Sequence, residues 1–182
     1  MGNELASFDE WDENKSLPWV LLTYPKHDAV KRMVRDLNLI YKAEPAMWKW
    51  EYNNWNFHWT MVDNNDQSVF AFEREVEGSD LLFVFNMTPS YYEDYDVGCM
   101  HDGEYVEIFN SDKDVYGGRN QYNGLPLKAK KYSSENRPNH ITIKIGSYAA
   151  MIFKRTICKS AVLKTVEKKP TTKKKASSKK SK

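Results

Sequence analysis

The chain has 182 residues, of which 41% are hydrophobic, 29% charged and 14% aromatic, which suits one compact domain or a domain with an appendage and excludes disorder throughout. The net charge of +2 conceals a division: residues 159–182 hold ten lysines against one glutamate, a balance of +9, and residues 1–158 carry −7, so a strongly basic folded domain is excluded. No run approaches the roughly 18 apolar residues of a membrane-spanning helix, and the acidic opening MGNELASFDEWDE lacks the order of a signal peptide, so a soluble cytoplasmic protein without a membrane partner is expected.

In chain order, the first regular element is a helix over residues 24–44. Pro25 suits the first helical position, Asp28 complements the positive end, and Pro45 disfavours helical geometry at Glu44. Val30, Met33, Val34, Leu37, Ile40 and Tyr41 recur at spacings of three and four and form one apolar stripe, which needs a partner surface, either the β-domain that follows or a part of a protein that this chain does not contain. From residue 46 to 158 the period changes to two. Strands are expected at 47–52, 57–62, 68–75, 81–86, 104–109, 125–130, 140–145 and 148–154. Turn residues separate them, as at Asn64-Asn65-Asp66, Glu77-Gly78, Asp102-Gly103, Gly117-Gly118 and Gly146-Ser147. Seven or eight short antiparallel strands predict a mainly β fold, an antiparallel β-sandwich with Greek-key links. Residues 159–182, including Pro170-Thr-Thr-Lys-Lys-Lys, have too little apolar surface to fold and are expected to form a disordered tail.

Signals for chemistry are sparse. Cys99 and Cys158 are too few for a disulfide framework and fit reduced thiols. In such a compartment the sequons at Asn14 and Asn86 count as chance matches. Asn110-Ser-Asp112-Lys-Asp114 resembles the start of a calcium loop, but Val115 and Gln121 stand where Gly and Glu are required. His27, His58, His101 and His140 are scattered, and Cys99-Met-His101 lacks a second ligand pair, so no metal site and no cofactor is expected. The acidic clusters Asp9, Glu10, Asp12, Glu13 and Glu93, Asp94, Asp96 each fall within one segment. They read as solvated loops rather than a glycosidase pair, whose carboxylates must face one bond from opposite sides. All six tryptophans lie within the first 59 residues, and Tyr91, Tyr92 and Tyr95 join the second acidic cluster. Indole faces beside carboxylates and amides suit the C–H face and hydroxyls of a sugar. Alternation along strands favours a core role for Trp48, Trp50, Phe57 and Trp59, and leaves Trp11 and Trp19 open to either role.

Several strings carry a family resemblance. Met1-Gly2-Asn3-Glu4, Glu10-Trp11, Ser16-Leu17-Pro18-Trp19 and Leu21-Leu22 resemble the segment after the last barrel strand of bacterial 1,4-alpha-glucan branching enzymes, of the alpha-amylase superfamily. Tyr24-Pro25-x-His27, Val34-Arg35-Asp36-Leu37-Asn38 and Tyr41-x-x-x-Pro45-Ala46 resemble that family's final barrel helix. Its C-terminal β-domain is resembled by Asp63-Asn64-Asn65-Asp66-Gln67-Ser68-Val69, Phe85-Asn86-Met87-Thr88-Pro89, Tyr105-x-Glu107-x-Phe109-Asn110-Ser111-Asp112, Tyr116-Gly117-Gly118 and Arg137-Pro138. The resemblance spans about residues 1–155 and excludes the lysine tail. Leu5-Ala6-Ser7 departs from the Phe and Gly-Gln usual after the Asn-Glu pair.

The resemblance implies a division into residues 1–45, a loop and last helix of a (β/α)8 barrel otherwise missing; 46–158, the all-β domain; and 159–182, the tail. It further implies glycogen biosynthesis, in which an α-1,4-glucan segment is moved to a 6-hydroxyl by a retaining route. The nucleophile, the acid/base and the third carboxylate would all precede Met1, so no catalytic residue is assigned. Glu4, Trp11 and Trp19 are the expected glucan contacts, and the expected partners are an α-glucan such as glycogen and the barrel part of the same enzyme. The expected function is therefore a supporting C-terminal fragment, inactive alone, with the helix stripe as a docking face. A stand-alone glucan-binding β-sandwich module is the alternative. Nucleic-acid binding through the tail ranks last, because no aromatic residue interleaves its lysines to stack bases.

Overall fold

The computed structural model describes residues 2–131 and 137–156; the expected tail and Cys158 lie outside these residues. The helix, α1, runs Pro25–Ala43 with Pro25 in the first turn, and its C-cap Glu44 donates its N–H to the Ile40 carbonyl at 2.9 Å. It is preceded by 3-10 turns at Asn3–Leu5 and Trp19–Thr23 and followed by another at Pro45–Met47. No helix among the described residues is long and apolar enough to cross a membrane.

The described strands are β1 (Phe57–Met61), β2 (Val69–Val76), β3 (Ser79–Asn86), β4 (Tyr92–Cys99), β5 (Glu104–Asn110), β6 (Leu127–Lys128), β7 (Lys130–Lys131), β8 (Asn139–Ile145) and β9 (Ala150–Thr156). They form a large sheet, β1-β2-β3-β9-β5-β6, and a small one, β4-β8-β7, with antiparallel pairing throughout. The chain is thus mainly β, a two-sheet sandwich with β9 returning between β3 and β5, as expected.

Alternation decides which side chains meet. Val69, Ala71, Leu82, Val84, Met151 and Phe153 of the large sheet face Tyr95, Val97, Ile141, Ile143 and Ile145 of the small one and form the core between the sheets. The opposite face of the large sheet carries Val76, Leu81, Phe83, Phe109 and Ile152, and against these pack Met33, Leu37 and Ile40 of α1. A helix stripe therefore closes the outer face of the sheet, giving three layers. Two polar links fix it there. The Tyr116 hydroxyl donates to Asp36 Oδ2 at 2.8 Å. The buried Glu44 carboxylate accepts from Ser79 Oγ and Lys154 Nζ, each at 2.8 Å.

Four expectations change. Residues 47–52 are not a strand: the chain turns there, and Trp50 takes a left-handed φ of +61° that no strand position tolerates. The segment with Glu93, Asp94 and Asp96 is not an acidic loop but β4, whose Tyr95, Val97 and Cys99 are buried while the three carboxylate residues are exposed. Trp48, Trp50 and Trp59 are exposed rather than core, although Phe57 is half-buried. Finally, Met33, Leu37 and Ile40 already lie on the sheet, so the stripe from Val30 to Tyr41 is not a free docking face.

Candidate functional site

Residues 2–18 fold back over the start of α1 and enclose a cavity of about 280 Å³. Leu5, fully buried, anchors the loop, and its carbonyl lies 2.7 Å from His27 Nδ1 on α1. Phe8 packs edge-on against the same imidazole. Gly2 takes a φ of +82°, a left-handed conformation that favours glycine, and lies beside Leu17 at the other end of the loop. The wall combines the Trp11 indole, 58% exposed, with Asp9, Glu10, Asp12 and Lys15. Asp12 accepts the Asn14 backbone N–H at 3.0 Å and pairs with Lys15 Nζ at 3.0 Å, and these bonds hold its carboxyl below the usual carboxylate range. An aromatic face beside carboxylate acceptors and an ammonium donor can orient a small polyhydroxylated ligand.

Of the three sequence-predicted contacts, only Trp11 lines this cavity. Glu4 sits half-buried on the first 3-10 turn and Trp19 begins the second, outside the lining. The lining residues Asp9, Glu10 and Asp12 were visible in the sequence as an acidic cluster. They were read there as a solvated loop, and the signal that could have found them is their nearness to Trp11.

At one end of the sandwich a polar network crosses the two sheets. Glu73 of β2 is 3% exposed, accepting the Met100 N–H at 3.0 Å and the Tyr105 hydroxyl at 3.3 Å. Burial raises its carboxyl to about 7; the Met100 N–H and His101 oppose the rise, and neighbouring Glu75 adds to it. Glu75 Oε1 lies 2.9 Å from His101 Nε2 and 3.9 Å from His58 Nε2. Among the described residues no group of three or more His, Cys, Asp or Glu side chains is placed to hold a metal ion. The calcium-like string instead builds a turn, in which Asp112 accepts the backbone N–H groups of Arg119 and Gln121 at 3.1 and 3.0 Å.

Comparison with known proteins extends this picture. The family model described as the alpha amylase C-terminal all-beta domain matches residues 59–156. The 1,4-alpha-glucan branching enzyme GlgB of Bacillus subtilis (strain 168) is 36% identical over 156 residues, which cover 85% of this chain and 25% of that protein. GlgB of Shewanella sp. (strain MR-4) is 44% identical over 125 residues, 68% of this chain and 17% of that one. The chain thus spans at most a quarter of the length of these curated relatives. Among solved structures, the debranching enzyme from Nostoc punctiforme aligns with a TM-score of 0.53 at 12% identity, over 84% of this chain and 26% of that one, a likeness of fold.

Proposed function

The chain belongs to the alpha-amylase C-terminal all-beta domain family, and from that premise we propose that it serves as the C-terminal part of a cytoplasmic 1,4-alpha-glucan branching enzyme in glycogen biosynthesis. In this role it supports the catalytic part and has no turnover by itself. The observation that carries the reading is the union of α1 with the sandwich. The strings resembling a final barrel helix and those resembling a C-terminal β-domain meet physically at Asp36–Tyr116 and at Met33, Leu37 and Ile40. Such a joint fixes the β-domain rigidly to whatever the helix belongs to.

The surface left for the barrel part is then the side of the N-terminal segment and α1 turned away from the sheet, where Phe8, Trp19, Val20 and Leu39 are exposed. The cavity beside Trp11 supplies a contact for the α-glucan. Incubating the purified chain with amylose and assaying for new α-1,6 linkages is expected to give none. Co-expression with a polypeptide carrying the barrel is expected to give a co-purifying pair with activity. Turnover by the chain alone, or failure of the pair to associate, overturns the proposal. The stand-alone glucan-binding module keeps one observation in its favour: all six tryptophans are exposed. Retardation of the isolated chain on a glycogen-containing native gel supports it.

A further inference from the structure

Outside the Trp11 cavity, the segment between α1 and β1 presents a second set of indoles. Trp50 and Trp55 have ring centroids 6.1 Å apart and planes inclined at 50°, and they are 49% and 57% exposed. Lys49 Nζ stands 5.4 Å from the Trp50 ring centroid, a cation–π distance that holds the indole in place. The backbone beneath is anchored. Lys49 donates its N–H to Pro45 at 2.7 Å, Asn53 donates to Trp50 at 2.9 Å, and buried Asn56 donates its amide to the Lys49 carbonyl at 3.4 Å. Trp50 itself occupies the left-handed region, a conformation that a large side chain keeps only where its surroundings enforce it. None of these residues lines the Trp11 cavity.

We infer that Trp50 and Trp55 form a second α-glucan contact, separate from the Trp11 cavity; this rests on the glucan reading above. Two half-exposed indoles whose planes are inclined at 50° suit the curvature of an α-1,4-linked chain, whereas a flat β-1,4-linked chain calls for coplanar rings. Exposed Lys49, Glu51 and Asn54 flank the rings and supply donors and acceptors for hydroxyls. The apolar content of the segment 48–56 is aromatic throughout, with no aliphatic side chain, which suits stacking on sugar C–H faces more than burial in a protein groove.

The test is titration of the ¹⁵N-labelled full chain with maltoheptaose, following the six indole N–H resonances, with Trp50 and Trp55 assigned from the Phe variants and cellohexaose as control. The expected result is a saturable shift of the Trp50 and Trp55 signals with maltoheptaose only, and an affinity weakened roughly fivefold to tenfold at these signals in Trp55→Ala. The unmutated protein gives the primary reading, so the test does not depend on any variant folding. If Trp11 shifts while Trp50 and Trp55 do not, the second contact is refuted, the first stands, and the aromatic segment is a protein surface. If no indole shifts, both glucan contacts fall, while the branching-enzyme reading is still decided by co-expression with the barrel. Equal response to cellohexaose also refutes the inference, since it removes the selectivity for the α-linkage.

Discussion

Glu73 makes stability depend on pH in a direction opposite to that of most carboxylates. Its proton is held more tightly in the folded chain, at about 7, than at the usual 4.5. Its stabilising contribution is therefore complete below about 4.5 and is lost as pH rises through 7. Between about pH 5 and about pH 8.5 the loss amounts to about 2–3 kcal/mol, a large fraction of the stability of a domain this size. The ionisable groups around Glu73 are Glu75 on its own strand, Cys99 at the end of β4, His101 just beyond it and Tyr105 on β5, with His58 of β1 near Glu75 and Arg155 of β9 near Cys99. Other groups of the chain also contribute to any pH dependence, so the informative quantity is the difference between wild type and Glu73→Gln. The amide keeps the shape and an acceptor for the Met100 N–H but never ionises. Urea unfolding across that range, at constant ionic strength, is expected to show wild type losing about 2–3 kcal/mol relative to the variant. A wild-type-minus-variant difference that stays flat with pH refutes the assignment of a neutral buried carboxyl at this position.

Three further predictions test the packing. A Cβ on Gly118 would lie 2.2 Å from the Asp112 carbonyl oxygen, whereas Gly78, at φ +82°, has nothing within 4 Å. Gly118→Ala is therefore expected to cost well over the ~1 kcal/mol of Gly78→Ala, read as the lowering of the thermal midpoint, and equal costs contradict the clash. Tyr116→Phe removes the bond to Asp36 and is expected to cost about 1–2 kcal/mol and to speed amide hydrogen exchange along α1; unchanged exchange there contradicts the joint. The Cys99 thiol, buried and pushed up to about 12, is expected to resist a thiol-reactive dye at neutral pH in a Cys158→Ser background until the chain is unfolded. Rapid labelling of the native protein contradicts its burial.

The helix was legible to within a residue because Pro25 and Pro45 act through their own covalent geometry, which no tertiary contact can override. Strands with apolar alternation, such as Val69–Val76 and Asn139–Ile145, were legible for a similar local reason. β4 was hidden because its solvent face is acidic, so that charge masked the alternation of Tyr95, Val97 and Cys99. The false strand at 47–52 arose from the reverse error, where aromatic residues suggested burial and the backbone turned them outward. Of the site, Trp11 was legible as an indole in a polar segment; the loss of Glu4 and Trp19 from the cavity depends on how the loop closes on Leu5 and His27, which no local pattern encodes. Glu73 had a usable signal, since it shares the period of Val69 and Ala71 and so had to face the core.

The Glu10-Trp11 string both carries the family resemblance and lines the cavity, but in the β-domain the residues that identify the family serve packing rather than ligand selection. Asn86, in the string Phe85-Asn86-Met87-Thr88-Pro89, is 1% exposed and fully engaged: its amide donates to the Ser90 and Gly146 carbonyls, and its oxygen accepts from the Thr88 N–H and hydroxyl. That engagement also gives a physical reason for setting the sequon aside. Glu107 and Asn110 bind each other and hold the loop through Gln121 and Asn123. Gly118 and Tyr116 fit that loop against Asp112 and α1. Each of these positions satisfies a buried polar group or permits a close approach, where substitution costs more than a surface change does. The resemblance is therefore strong evidence for the architecture and for the joint between helix and sandwich, while Trp48, Trp50 and Trp55 lie outside every one of those strings and keep about half of their surface exposed. Half-exposed indoles outside the strings that serve packing are where a ligand can be selected, and the chemistry that distinguishes this chain within its family is therefore to be sought at Trp48, Trp50 and Trp55.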